Sequence, residues 1–196
     1  MSKGEATRDR IVDRAWRLAS RDGLAGLSLG RLAAELGLSK SGLFAHFGSK
    51  QELEIEVLRI ASEHFVEQVI RPALKAPRGV PRLRRMFKNW IAWANDPAVP
   101  GGCVFLAAAT ELDDASGPQR DFLVTTQATF LSTLEKAARI AVEEKQFRAD
   151  LDCEQFAFEM LGVVLAYHHT RRLLRHPKAE ARATSAFEAL LDISSS

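Results

Sequence analysis

The sequence has few of the residues that build disulfide frameworks or metal sites. Its 196 residues include only two cysteines, Cys103 and Cys153, at a separation that fits no disulfide or metal-binding pattern. His168 and His169 are adjacent, and neighbouring helical side chains point about 100° apart, so the pair is poorly placed for one ion. We therefore expect two reduced thiols in a cytoplasmic protein, with no metal and no cofactor.

Long apolar runs and strand-like alternation are also missing. No run approaches the roughly 18 to 20 apolar residues that a membrane span requires, and no apolar stretch follows the charged N-terminus, so we expect neither a membrane partner nor a secretory signal. The formal net charge is only +2, which argues against a protein that coats DNA non-specifically, because such binding depends on many phosphate contacts. Hydrophobic residues make up 46% of the chain, enough for a packed core.

Helical periodicity runs through nearly all of the chain, with glycine and proline between the periodic segments. The pattern predicts an all-α fold of about nine helices. The first covers about 7–22, the second ends before Gly37, the third begins at Ser39 and includes Phe47, and the fourth runs from Ser49 to about Ile70. The others are expected near 82–95, 102–111, 118–146, 152–175 and 178–193.

Short polar residues and glycines mark the helix ends of the N-terminal part. Ser28 and Ser39 are typical N-caps, and Gly37 is typical of a helix end. Ser49 with Glu52 has the spacing of a capping box. Two short helices joined by a tight turn, after one longer helix, predict a helix-turn-helix in a three-helix N-terminal domain.

The third helix of this motif has one inward and one outward side. Leu43 and Phe47 are four residues apart and face inward, which leaves small and polar residues toward the DNA major groove. Lys40 is the candidate for a contact to guanine O6 or N7, and the hydroxyls, His46 and Lys50 are placed for phosphates. The candidate DNA-binding residues are Ser28, Ser39, Lys40, Ser41, Gly42, Phe44, Ala45, His46 and Lys50. Residues 1–50 hold nine basic against five acidic residues, in keeping with this role.

The motif resembles the DNA-binding domain of the TetR (tetracycline-repressor-like) family. The resemblance rests mainly on the run GLSKSGLFAHFGSKQEL at residues 37–53. It implies a homodimeric bacterial regulator, usually a repressor, that binds double-stranded operator DNA and leaves it when a small-molecule effector binds the body. It also places Lys40 and Lys50 at base- and phosphate-contacting positions. The chain departs from the commoner pattern with Ser41-Gly42 in place of Gly-Thr and Phe44 in place of Tyr.

By the same resemblance, residues 1–50 form the DNA-binding domain, and residues 51–196 form a helical ligand-binding and dimerisation domain. The second part holds most of the aromatic residues, and a helical body can enclose an apolar cavity with a few polar groups. The candidate ligand-binding residues are Trp90, Trp93, Cys103, Phe105, Phe122, Tyr167 and His168. The run Pro100-Gly101-Gly102 either lets backbone approach a ligand or turns a corner.

The last two predicted helices carry apolar stripes that suit a four-helix interface between two copies. The candidate interface residues are Phe156, Met160, Val163, Val164, Phe187, Leu190 and Leu191. Packing of these stripes within one chain is the alternative. A DNA reader with two symmetric heads needs a two-fold body, which favours the homodimer.

One other class of function fits a helical chain of this size: a small-molecule-binding protein or enzyme whose N-terminal module contacts another protein. No Ser/His/Asp or Cys/His arrangement supports catalysis, and the acidic pairs Asp113-Asp114 and Glu143-Glu144 fall in expected loop or surface positions. We therefore predict no catalytic residues and no enzyme activity.

Overall fold

The computed structural model describes residues 3–195, and throughout this range the regular structure is helical, with no strand. The helices are α1 (Lys3–Asp22), α2 (Leu29–Leu36), α3 (Lys40–Phe44), α4 (Lys50–Phe65), α5 (Arg71–Ala73), α6 (Val80–Ala94), α7 (Val104–Leu112), α8 (Pro118–Glu143), α9 (Cys153–Arg172) and α10 (Ala179–Ser195). Because α4 and α5 belong to one uninterrupted helical run, the described chain has nine runs. The predicted all-α fold is confirmed.

The helix that begins at Lys50 changes type before it ends. Between α4 and α5 lies a π-helical turn, Val66–Ile70, so the run is continuous from Lys50 to Ala73. A π turn accommodates one more residue per turn than an α turn and is common at functional positions in helices. The predicted end near Ile70 was three residues short.

Local signals set most helix ends within a few residues of their predicted places. The second helix begins after Ser28 and ends before Gly37, as predicted. The third is shorter than predicted: its α-helical part ends at Phe44, and the N–H of His46 bonds to the carbonyl of Leu43 at 3.1 Å in a tighter turn. At the start of α4, Ser49 Oγ accepts the N–H of Glu52 at 3.1 Å, which is one of the two bonds of a capping box. The Glu52 carboxylate accepts the N–H of Gly48 at 2.9 Å, one residue before the position that a capping box uses.

The described residues divide into two compact units. The first comprises the chain up to Phe65 together with Asn95–Thr125. Its core includes the predicted stripe of α1, in which Ile11, Ala15 and Ala19 are fully buried. This helix packs against α4, and it also contacts α2 and α7.

The second unit comprises Val66–Ala94 and the described chain from Thr126 onward. Helices α9 and α10 pack closely against each other. The rings of Phe87 and Phe187 are stacked with centroids 4.2 Å apart. Both compact units draw on separate stretches of sequence, whereas the predicted domains 1–50 and 51–196 are continuous, and that division stays a prediction.

None of the helices in residues 3–195 combines the length and the apolar character needed to cross a membrane.

Candidate nucleic-acid interface

Two serine hydroxyls fix where the short helices of the N-terminal motif begin. Ser28 Oγ accepts a hydrogen bond from the backbone N–H of Arg31 at 3.4 Å, at the start of α2. Ser39 Oγ accepts one from the backbone N–H of Gly42 at 2.9 Å, at the start of α3. Between them, Gly37 ends α2 in the left-handed conformation, with φ of 66°. The two helices are therefore joined by the tight turn of a helix-turn-helix.

The sides of α3 differ sharply in burial. Leu43 is fully buried and Phe47 is 3% exposed, so both lie in the core as predicted. The candidate DNA-binding residues lie outside it. Six are exposed (Ser28, Ser39, Lys40, Ser41, Phe44 and Ala45), and three are half-buried (Gly42, His46 and Lys50). The structure thus brings Ser39, Lys40, Ser41 and Phe44 onto one accessible helix.

Lys40 and Phe44 are the two large side chains on this accessible helix. Within the described chain, Lys40 takes part in no ion pair, so its ammonium group is free to contact an external acceptor. The side chain of Phe44 is 38% exposed, unusual for an aromatic residue so close to a core. An exposed ring can contact a thymine methyl group, while a lysine can donate to guanine.

Lys50 is already engaged by groups of its own chain. Its Nζ lies 3.3 Å from the backbone carbonyl oxygen of Ala25. It also lies 3.3 Å from a carboxylate oxygen of Glu54, one helical turn further along α4. A phosphate that binds Lys50 would therefore compete with the Glu54 carboxylate for the ammonium group.

Several arginines of the N-terminal part are paired with acids. Arg31 contacts Asp22 at 3.1 Å and Glu35 at 3.0 Å. Hydrogen bonds from Arg21 hold the pKa of Asp22 below its ordinary value, and those from Arg14 do the same for the pKa of Glu35. These carboxylates stay ionised at neutral pH, so the positive charges of Arg14, Arg21 and Arg31 are neutralised locally and the excess positive charge of this part lies on its other basic residues.

Two side chains from the Asn95–Thr125 segment of the first unit bond to the N-terminal part, and the sequence did not predict either contact. The carboxylate of Glu111, on α7, accepts the backbone N–H groups of Leu24 at 3.2 Å and Ala25 at 2.7 Å. The amide oxygen of Gln119, on α8, accepts a hydrogen bond from Gln51 Nε2 at 2.7 Å. The partners are 87, 86 and 68 residues apart, so no local pattern in the sequence indicates them.

The seven candidate ligand-binding residues are divided between the two compact units. Cys103, Phe105 and Phe122 belong to the first, and Trp90, Trp93, Tyr167 and His168 belong to the second. All are buried except Phe122 and His168, which are half-buried. The ring of Trp90 packs edge-on against Phe130, with centroids 4.7 Å apart, as in an ordinary core. Their role in ligand binding stays a prediction.

The Pro100-Gly101-Gly102 run lies against α1. A Cβ atom on Gly101 would be 1.2 Å from the carbonyl oxygen of Ser20, so only glycine allows the two backbones to come this close. The N–H of Gly101 also donates to Ser20 Oγ at 3.4 Å. Of the two interpretations, the corner is therefore the one that these contacts support.

Both cysteines are buried thiols outside any disulfide. Burial raises the pKa of the Cys153 thiol, which keeps it protonated and unreactive at neutral pH. Over the part of the chain that the structure describes, no group of three or more His, Cys, Asp or Glu side chains is arranged to hold a metal ion.

The candidate interface stripe faces the interior of the second unit. Six of its seven residues are buried within the single chain (Phe156, Met160, Val164, Phe187, Leu190 and Leu191), and Val163 is half-buried. These buried residues therefore pack within their own chain, which is the alternative interpretation given by the sequence. A second copy would have to use the surface of these helices that the single chain leaves exposed.

The surface beside the buried stripe, where the half-buried Val163 lies, is apolar and concave. A groove of about 410 Å³ lies between α9 and α10, lined by Gly162, Val163, Ala166, Tyr167, Thr170, Ala179, Arg182, Ala183 and Ala186. Large apolar residues are also exposed on α9 and directly after it: Phe158 is 67% exposed, Leu165 45%, and Leu173, the first residue after the helix, 69%. We call these three residues the α9 stripe. Exposed apolar surface of this kind commonly marks a binding face.

Two protein-family models match the chain. The description "Bacterial regulatory proteins, tetR family" matches residues 11–57, which contain the helix-turn-helix. The description "Tetracyclin repressor-like, C-terminal domain" matches residues 79–187, more than half of the chain. Together they cover both the predicted DNA-binding part and most of the body.

One curated relative is similar in sequence to the chain, and several solved structures share its fold. The transcriptional regulator AcrR of Shigella flexneri is 29% identical over 75 residues, a match that covers 38% of this chain and only about a third (35%) of that protein. A TetR regulator from Chloroflexus aurantiacus has a TM-score of 0.87 at 23% identity, over 98% of this chain and 96% of that one. AibR, solved in complex with isovaleryl coenzyme A and operator DNA, has a TM-score of 0.77 at 23% identity, over 94% and 97% of the two chains.

Proposed function

Because this chain belongs to the TetR family of DNA-binding transcriptional regulators, we propose that it acts as a homodimeric repressor in the bacterial cytoplasm. A small apolar or amphipathic effector would release it from its operator. The observation that carries the proposal is the exposed side of α3, a helix whose start is fixed by the Ser39 cap. On this side lie the exposed Phe44 and Lys40, which forms no ion pair with any described residue. The proposal assigns the chain no catalytic step.

The proposed reading head comprises residues 28–50. Lys40 reads a guanine in the major groove, and Phe44 packs against a neighbouring thymine methyl group. The hydroxyls of Ser39 and Ser41, 3.1 Å apart, and the side chains of His46 and Lys50 contact phosphates. Such contacts fix the position of the helix on the duplex without reading its sequence.

The proposed dimer uses the exposed side of α9 and α10. Two reading heads on a symmetric operator require a two-fold axis between two identical chains. The α9 stripe and the groove beside it present apolar surface that the single chain leaves uncovered. The proposed occupant of this surface is a second copy of the chain, because a two-fold axis places the same side of α9 and α10 from both chains in contact. The small groove residues would let the helices of the two chains approach closely.

The proposed switch is an effector that favours one arrangement of the dimer. AibR was solved with both an acyl coenzyme A and operator DNA, which supports a small-molecule effector for this chain by analogy. Release requires that the effector bind one state better than the other, typically by about 1–3 kcal/mol of coupling. The seven candidate ligand-binding residues, from Trp90 to His168, are the first positions to test for contact with it.

The proposed function is tested by selection of DNA from a randomised duplex library. The wild-type chain should enrich a two-fold symmetric sequence, and Lys40→Ala should weaken binding to it by about tenfold or change the preferred base, since one good base contact contributes about 1–3 kcal/mol. Lys88→Ala, which removes an exposed lysine from α6, is the matched control and should bind as the wild type does. Failure of the wild-type chain to enrich any sequence would refute the proposal.

A further inference from the structure

Glu111 holds the loop that precedes the reading head. Both of its carboxylate oxygens accept backbone N–H groups, from Leu24 at 3.2 Å and from Ala25 at 2.7 Å. This loop connects α1 to the capped start of α2, and its two N–H groups have no helical partner to satisfy them. A carboxylate that accepts two N–H groups from one loop fixes the loop more firmly than a neutral acceptor does.

The fit between Glu111 and the loop is close. Gly23 has φ of 77°, and a Cβ atom at this position would lie 2.0 Å from Glu111 Oε1. Any other residue at position 23 would therefore be strained and would also displace the carboxylate. The loop has the one residue type that lets Glu111 reach its backbone.

The backbone of Ala25 connects Glu111 to the start of α4. Its N–H donates to Glu111, and its carbonyl oxygen accepts the ammonium group of Lys50 at 3.3 Å. Gln119, on the other side of the loop between α7 and α8, accepts a hydrogen bond from Gln51 at 2.7 Å and donates one to Glu54 at 3.0 Å. Both ends of the α7–α8 connection thus hold the helices that carry the reading head.

We propose that Glu111 is a positioning residue for DNA binding, which sets the placement of the reading head through the α1–α2 loop. The inference rests on the proposed DNA-reading role of residues 28–50. Glu111 does not contact DNA. It holds Ala25 in the position from which the Ala25 carbonyl oxygen accepts Lys50, and it thereby also sets the angle at which α2 begins. A shift of α7 by about the length of one hydrogen bond would free the loop, so the position of this helix and the binding of the operator are coupled.

The direction in which DNA affinity changes when Glu111 is removed distinguishes a positioning role from a direct effect of its negative charge. Removal of an acid near a DNA-binding surface should tighten binding, because it reduces repulsion of the phosphates. Positioning predicts the opposite for Glu111→Ala: about tenfold weaker binding to the duplex that the wild-type chain selects, with little change for a scrambled duplex. Glu111→Gln keeps one acceptor oxygen and should fall between the wild type and the alanine variant.

Asp114→Ala is the matched control, because it removes an exposed carboxylate three residues further along the chain. It should bind the selected duplex as well as the wild type or slightly better. Hydrogen exchange of the Leu24 and Ala25 amides should speed up in Glu111→Ala and stay unchanged in Asp114→Ala. The thermal midpoints and dimer masses of the variants should match the wild type, which separates loss of positioning from loss of the fold.

The outcomes distinguish this inference from the function on which it rests. Suppose that the wild-type chain selects a duplex and that Glu111→Ala retains its ratio of selected to scrambled affinity; the inference is then wrong, and the proposed function stands. An equal loss on both duplexes would also overturn it, as a general structural defect. If the wild-type chain selects no duplex, the proposed function fails and this inference fails with it.

Discussion

The imidazole ring of His64 lies flat against the indole of Trp16, with centroids 4.5 Å apart and planes 6° apart. The contact joins the last turn of α4 to α1 inside the first unit. Trp16 is almost fully buried, so its ring has a fixed position on which the imidazole can stack. The pair therefore fixes the far end of the helix whose first residue, Lys50, belongs to the reading head.

We expect His64→Ala to lower the free energy of unfolding by about 1–2 kcal/mol, because it removes the ring contact and part of the buried area. His64→Phe keeps a flat ring and should retain most of the stability. Urea unfolding followed by circular dichroism measures both. Equal losses in the two variants would show that stacking contributes nothing.

Glu56 should make stability depend on pH. Burial raises the pKa of Glu56, but hydrogen bonds from Arg59 and Arg8 outweigh it, so the pKa lies below its ordinary value. A depressed pKa contributes stability above the unfolded-state value, and this contribution disappears as the pH falls through the folded-state value. Glu56→Gln should therefore cost about 1 kcal/mol at pH 7 and much less near pH 3.

The matched control is Glu67→Gln, which breaks an exposed ion pair with Arg71. Surface pairs of this kind contribute little, so its thermal midpoint should follow the wild type at every pH. A Glu56→Gln deficit that stays constant from pH 7 to pH 3 would contradict the assignment.

The exposed side of α9 can be tested by one bulky charge. Ala166 lines the groove, and Ala166→Arg should convert a dimer into a folded chain of 21.7 kDa, because two arginines cannot be buried there without partners. Ala128→Arg makes the same replacement at an exposed position of α8 and should stay dimeric. Light scattering after gel filtration measures the mass. A dimeric Ala166→Arg variant would place the interface elsewhere.

Glu54 should weaken DNA binding by competing for Lys50. Its carboxylate lies 3.3 Å from the lysine nitrogen and is only 12% exposed. Glu54→Gln removes that competitor and one negative charge, so we expect about threefold tighter binding to the selected duplex and a steeper dependence on salt. Glu63→Gln, on the same helix and paired with Arg59, should leave both unchanged. Weaker binding by Glu54→Gln would count against a phosphate role for Lys50.

The features that could be predicted from the sequence depend on residues within a few positions of each other. Ser28, Gly37 and Ser39 bond to backbone groups three or four residues away, so the residue type at each position indicates the helix end directly. The start of α1 was predicted four residues too late, because Gly4, Glu5 and Ala6 are exposed and add no buried side chain to the stripe. The all-α fold follows from the same local periodicity.

The features that could not be predicted depend on which helix surfaces pack against each other across long stretches of sequence. The stripe containing Phe156 and Met160 shows that one side of α9 is buried, but periodicity does not say whether the covering helix belongs to the same chain. The role of Glu111 is invisible for a related reason: a single glutamate on a helix resembles any solvated acid until its distant partner is known. Both depend on long-range contacts.

Gly162 should favour the dimer at the expense of the stability of the single chain, so the effect of replacing it should depend on protein concentration. A Cβ atom there would meet nothing within 4 Å, so nothing in the chain itself requires glycine, although glycine within a helix costs about 0.5–1 kcal/mol relative to alanine. Gly162→Ala should thus stabilise the separate chain, whereas in the dimer its methyl group would press against the partner. At high dilution the variant should melt above the wild type, and at high concentration the order should reverse.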